Sequence, residues 1–128
     1  MHTGSLAARF AASGCDCFEW GLVMVNAFIL ERELFPPAIP FRSGFLQRGE
    51  HEIYYEQCGN IDGQSLLFLH GGPGAEIAPA HRRLFDPKRF HVVLFDQRGC
   101  GQSRPHASLD DNQTDALIGD IEALRRSL

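Results

Sequence analysis

Long apolar runs are missing from this chain. Its most apolar stretch, Phe18 to Leu30, is interrupted by Glu19 and Asn26 and falls short of the ~18 residues that a membrane-spanning helix needs. No membrane partner is expected. A secretory leader needs a basic start, an apolar stretch and a small-residue cleavage site, whereas here Arg9 stands alone and Glu31, Arg32 and Glu33 follow the run directly. Clustered positive charge is also absent: 12 basic residues stand against 16 acidic ones, for a formal net charge of -4. A phosphate backbone is recognised by grouped Lys and Arg, so nucleic acid is not an expected partner. Cysteine is sparse and poorly spaced. Cys15 and Cys17 make a C-x-C pair, Cys58 and Cys100 stand apart, and no second ligand pair lies at zinc-finger spacing. Neither a metal site nor a disulfide framework is expected, and the thiols read as free in a reducing cytoplasm. There is no internal repeat and no low-complexity segment.

What is present is the composition of a soluble globular chain: 128 residues, 44% hydrophobic and 22% charged, enough for one domain at most. Residues 1 to 33 differ from the rest, small residues giving way to the apolar run and then to a charged break, and they read as an extension, poorly ordered or partly helical. Leu34 to Phe41, LFPPAIPF, repeatedly fixes φ and removes backbone donors. It reads as an extended lead into the folded part, residues 34 to 128. A strand is expected over Glu50 to Cys58, followed by turn residues Asn60 to Gly63. Ser65 to His70, SLLFLH, and His91 to Asp96, HVVLFD, are short continuous apolar runs, the pattern of parallel strands covered on both faces. Between them lie a glycine-rich turn, Gly71 to Gly74, and a short helix around His81 to Phe85 that Asp86-Pro87 ends.

At the far end Leu117, Ile121, Leu124 and Leu128 recur at helical spacing, with Asn112 or Thr114 available as N-cap and Arg125 and Arg126 near the last turn. Strands alternating with helices indicate an α/β fold with right-handed crossovers. The sheet looks unfinished, because the final helix should return to another parallel strand and such domains commonly need ~200 residues. The apolar faces of SLLFLH and HVVLF are therefore expected to be partly exposed, and self-association to follow.

Two strings carry the chemistry. His70-Gly71-Gly72-Pro73-Gly74 directly follows an apolar strand. Its glycines leave no side chain at adjacent positions, so a ligand atom can approach main-chain N–H groups, as an oxyanion hole requires; a plain turn is the alternative reading. The second string, Asp96-Gln97-Arg98-Gly99-Cys100-Gly101-Gln102-Ser103-Arg104-Pro105, ends the next strand. Gly99 and Gly101 permit sharp turning, while Asp96, Arg98 and Ser103 can tie the loop to its neighbours. A dinucleotide fingerprint fails here, because the third glycine position holds Arg104 and PHASLDDN follows instead of a helix.

Together, HGGPG and DQRGCGQSRPH resemble the proline iminopeptidases, a family of α/β hydrolases. PFRSGFL, IYYEQCGN, HRRLFDPKRFHVVLFDQRG and DDNQTDALIGDIEALR fit the same pattern, so the resemblance covers about residues 34 to 128. It implies an α/β-hydrolase fold and a serine hydrolase that releases N-terminal proline from peptides through an acyl-enzyme, without metal or organic cofactor. It also implies a nucleophile in a G-x-S-x-G elbow, with the triad in the order Ser, Asp, His. No serine here satisfies that pattern: Ser65 has Leu67 where glycine is needed, and Ser103 has Pro105. Nucleophile, acid and base are therefore expected beyond Leu128, as are the cap-domain acids that hold the substrate's amino group.

What the resemblance carries onto this chain is the backbone N–H of Gly72 as one oxyanion donor, within the loop His70, Gly71, Pro73 and Gly74. Asp96, Gln97, Arg98, Gly99, Gly101 and Ser103 are expected to fix the adjoining loop. His70 is expected to shape its loop, and His81, His91 and His106 to lie at the surface or in loops. The sequence departs from the family after HGGPG, with Ala75-Glu76-Ile77-Ala78 in place of further glycine, which bears on the pocket edge. The chain is thus expected to be an inactive amino-terminal piece of a prolyl aminopeptidase. The alternatives are a piece of another α/β hydrolase (esterase, epoxide hydrolase or broader aminopeptidase) or a non-catalytic module whose sheet edge recruits another chain. Residues 1 to 33 are accounted for by an upstream start site or by a targeting segment; oligomeric state has no sequence signal.

Overall fold

The computed structural model describes residues 33–72 and 74–128, together with the backbone of Gly21 and Leu22. Among the described residues, five strands form one mixed sheet: β1 (Gly21–Leu22), β2 (Arg42–Arg48), β3 (His51–Gly59), β4 (Gln64–Leu69) and β5 (Phe90–Phe95). Their spatial order is β1-β4-β5-β3-β2. β2 and β3 are an antiparallel hairpin in full register from Arg42↔Gln57 to Arg48↔His51, closed by a two-residue loop in which Gly49 takes a φ of 63°. β3 then runs antiparallel to β5. β4 and β5 are parallel, with Leu66 opposite Val92 and Phe68 opposite Leu94. Two residues of the segment read as an extension, Gly21 and Leu22, pair parallel to Leu66 and Leu67 of β4.

Side chains alternate across a strand, and here both faces are used. Cys58, Leu66, Phe68, Val92 and Leu94 pack with Phe85 on one face, while Ile53, Leu67, Val93 and Phe95 pack with Leu124 on the other. This explains why β4 and β5 read as unbroken apolar runs. It also corrects one expectation: Leu66, Leu67, Phe68 and the whole of Val92 to Phe95 are buried, not partly exposed. The covers are α1 (Thr114–Ser127) on the second face and, on the first, the β4–β5 connection with Ile77, Leu84 and Phe85.

That connection contains a 3-10 turn, His81–Arg83, where a short helix was expected. It stays short because Asp86 diverts the chain: its carbonyl accepts the amides of Arg89 and Phe90 at 3.1 Å each, and its Oδ1 accepts the Lys88 amide at 2.9 Å. The proline-rich lead docks here, Phe35 N–H donating to the Arg83 carbonyl at 3.0 Å and Arg83 Nε returning to the Phe35 carbonyl. α1 presents Leu117, Ile121 and Leu124 to the sheet, whereas Leu128 is exposed. Its N-cap is Gln113, with no side-chain cap bond; neither Asn112 nor Thr114 caps it, since the Asn112 amide donates instead to the Arg98 carbonyl at 3.1 Å.

Two histidines are more enclosed than their surroundings in sequence suggested. His91 is buried on the face shared with Val93 and Phe95, its Nε2 3.0 Å from Gln57 Oε1. His81 is half-buried, its ring against Phe68 and its Nδ1 accepting the Ala78 amide at 3.0 Å; His106 is exposed. Burial pushes the pKa of His91 down, and burial, then the neighbouring His70, does the same to His81, from an ordinary 6.5. The unfolded chain therefore takes up protons that the folded chain refuses, so this contribution is whole above about 6.5 and is lost as pH falls below it. Urea midpoints should fall on acidification from pH about 7.5 to about 5.5, and less steeply in His91→Gln and His81→Asn.

Candidate active site

Because β4 and β5 are parallel neighbours that end together, with Leu69 opposite Phe95, the loops leaving them start side by side. The carboxyl ends of adjacent parallel strands are where α/β sheets form ligand crevices. Here a cleft of about 410 Å³ opens between Gly72 and Gly74 on one wall and Gln97 to Gly101 on the other, with Leu109 and Asn112 at its rim.

The two walls are laced together at both ends. His70 is 3% exposed; its Nε2 accepts the backbone N–H of Gln97 at 3.1 Å, and Gln97 Nε2 donates back to the His70 carbonyl at 2.9 Å. His70 Nδ1 lies 2.7 Å from the Gly71 carbonyl. Further on, Asp96 accepts the Ile77 amide on Oδ1 at 2.7 Å and the Gln102 amide on Oδ2 at 2.8 Å. Its carbonyl accepts Ser103 Oγ–H at 2.6 Å, and Ser103 Oγ in turn accepts the Tyr54 amide at 2.9 Å. Ser103 is 1% exposed with both capacities used, so it serves as a tie and not as a nucleophile. The loop continues back to β3, where Glu52 and Arg104 exchange two backbone bonds of 2.9 Å.

The glycines divide into two kinds. At Gly99, with φ of 71°, a Cβ would lie 2.4 Å from the Ser108 carbonyl, and at Gly101, with φ of 49°, 2.3 Å from Asp96 Oδ2; the fold itself demands glycine there. At Gly71 a Cβ would meet nothing within 4 Å, and at Gly72 only the Gly74 amide at 3.8 Å. Nothing within the described residues excludes a side chain at either position. Of the two, Gly72 lines the cleft, where its bareness leaves the main chain open, and among the described residues no partner takes the Gly72 amide hydrogen. Pro73 lies outside the described residues.

Arg98 lines the cleft through a charge network that the motif alone did not reveal. Its Nε and Nη2 donate to the two oxygens of Asp120 at 2.7 and 2.9 Å, and its Nη1 donates to the Asp111 carbonyl at 3.1 Å. These bonds to Asp120 hold the Arg98 pKa above its usual value. Asp120, fully buried in α1, also accepts Arg48 Nε from β2 at 3.0 Å. Three elements thus meet on one carboxylate. The sequence did carry a signal for it: 120 falls within the 117, 121, 124 stripe of α1, so an acid there faces inward. A second network, also missed, joins Glu56, 4% exposed, to Arg82 by bonds of 2.7 and 2.8 Å and to Tyr54 Oη at 2.9 Å. It braces the β4–β5 connection against β3. Burial raises the Tyr54 pKa, helped by its bond to Glu56.

Cys100 is half-buried at the cleft wall, and Cys58 is buried, its thiol pushed up to about 11 by desolvation; Cys15 and Cys17 lie outside the described residues. Among the described residues no group of three or more His, Cys, Asp or Glu is placed to hold a metal ion, and no helix is long and apolar enough to cross a membrane.

Comparison with known proteins agrees with this geometry. Residues 64–128 match a family model described as the alpha/beta hydrolase fold. The chain is 50% identical over 104 residues to a proline iminopeptidase of Arabidopsis thaliana, covering 80% of this chain and 27% of that protein. It is 52% identical over 90 residues to the proline iminopeptidase of Neisseria gonorrhoeae, covering 70% and 29% respectively. A crystal structure of a proline iminopeptidase-related protein from Thermus thermophilus superposes with a TM-score of 0.56 at 34% identity, covering 67% of this chain and 31% of that one. The chain thus spans less than a third of the length of these relatives.

Proposed function

Since the chain belongs to the alpha/beta hydrolase fold family, we propose that it is the oxyanion-loop part of a prolyl aminopeptidase, a serine peptidase acting in proteolysis on peptides with N-terminal proline. The observation that carries this reading is the bare Gly71-Gly72 main chain, with Gly72 lining the cleft and the strand end before it laced to the β5 loop through His70 and Gln97. Acyl transfer puts negative charge on the scissile carbonyl oxygen. A preorganised N–H aimed at that oxygen stabilises the charge without reorganising when the reaction occurs, and the Gly72 amide is the candidate donor. Asp96, Gln97, Arg98, Gly99, Gly101 and Ser103 hold the facing wall in place. The chemistry needs neither metal nor organic cofactor.

Nucleophile, acid and base are assigned to residues outside these 128, because no serine here lies in a G-x-S-x-G string. An oxyanion donor without a triad leaves only a small residual rate, so this chain alone should not turn over substrate. The reading includes a cytoplasmic location. Its test is a graft: residues 34–128 replace the matching stretch of the N. gonorrhoeae relative. Hydrolysis of proline 4-nitroanilide is the expected result. A folded graft that cleaves 4-nitrophenyl esters but not the proline anilide would favour the esterase reading instead.

A further inference from the structure

A peptide flanked by two glycines has almost no steric preference for the direction in which its N–H points, because both torsions beside it are free. The Gly71–Gly72 peptide is such a unit, and a Cβ at Gly71 would touch nothing within 4 Å. Something other than packing must set its orientation. The carbonyl and N–H of a trans peptide point in opposite directions, so whatever holds the Gly71 carbonyl also aims the Gly72 N–H. His70 Nδ1 lies 2.7 Å from that carbonyl.

We propose that His70 is the positioning residue for the Gly72 amide: its imidazole, locked as the Nδ1–H tautomer, clamps the Gly71 carbonyl and thereby points the Gly72 N–H away from its ring. The tautomer follows from the other nitrogen. A backbone N–H can only donate, so Nε2, which receives the Gln97 amide at 3.1 Å, carries no proton. The proton of the neutral ring then sits on Nδ1 and faces an atom that can only accept. Gln97 Nε2 carries two hydrogens, one of which goes to the His70 carbonyl at 2.9 Å; its 3.4 Å to Nδ1 is far longer than the 2.7 Å from Nδ1 to the Gly71 carbonyl, so the shorter contact decides where the Nδ1 proton lies. The β5 loop thus selects the tautomer, and the tautomer selects the peptide orientation. The inference deepens the assignment of Gly72 as oxyanion donor and rests on it for its functional meaning.

The test uses the 128-residue chain, labelled with nitrogen-15, at a pH where its imidazoles are neutral. Long-range proton–nitrogen spectra should show His70 protonated at Nδ1 and bare at Nε2, at a ratio of at least about ten to one, since two hydrogen bonds favour one form. An Nε2–H tautomer, or an even mixture, would overturn the proposal without any variant having to fold. In His70→Phe the Gly72 N–H residual dipolar coupling should change while the amides of β4 and β5 keep theirs. An unchanged Gly72 coupling would also overturn it. Both readouts are independent of hydrolysis, so an inactive graft with an intact Nδ1–H tautomer would defeat the assigned function and leave the clamp standing.

Discussion

Asp120→Ala should destabilise the chain by about 3–5 kcal/mol, the usual cost of removing one partner from a buried ion pair. The cost arises on Arg98, whose side chain is 9% exposed and would keep its charge with no carboxylate bonded to it. Arg48 contributes less, because its side chain is 37% exposed and water can replace the lost partner. The ion pair need not be better than an apolar contact of the same size. Asp120→Leu combined with Arg98→Met should therefore recover most of the loss. Urea denaturation of the single and double variants separates the two cases. A single variant within about 1 kcal/mol of the parent would show that Arg98 finds another partner or reaches solvent.

Gly101→Ala is the second large effect. Two causes add: the residue sits at a φ of 49°, which costs an L side chain about 1–2 kcal/mol, and the new methyl would lie 2.3 Å from Asp96 Oδ2. Asp96 is 1% exposed and held by the Ile77 and Gln102 amides, so it can move only by giving up those bonds. An enclosed donor left without its acceptor costs a further ~1–3 kcal/mol. Gly49→Ala is the control, with a φ of 63° but nothing within 4 Å, and should lose only the backbone part. Comparable midpoints for the two variants would mean that Asp96 is not the fixed post described above.

β4 and β5 were legible in the sequence because both of their faces are buried, which leaves an unbroken apolar string. β2 was passed over: the extended lead was read as ending at Phe41, and no element was expected over Arg42–Arg48. Its burial runs exposed and half-buried along Arg42–Arg48, and an edge strand of that kind has no apolar signature. His91 was misplaced by its polarity, although period-2 alternation with Val93 and Phe95 puts it inward. The glycine loop stood out by composition. Fastening side chains such as His70 and Asp96 were also named, but not what they hold, because the amides of Ile77, Gln97 and Gln102 belong to the backbone and no residue type announces them. Asp120 was hidden for the opposite reason: the helical stripe was drawn through leucines and isoleucine, and the acid within it was left out.

Gly72→Pro in the graft that carries residues 34–128 removes the one N–H through which the glycine loop is proposed to hold the oxyanion. With folding verified by circular dichroism, kcat for proline 4-nitroanilide should fall by about 10²–10³, the usual effect of losing an oxyanion donor. A folded Gly72→Pro graft that turns over as fast as its parent would show that the Gly72 N–H is not an oxyanion donor.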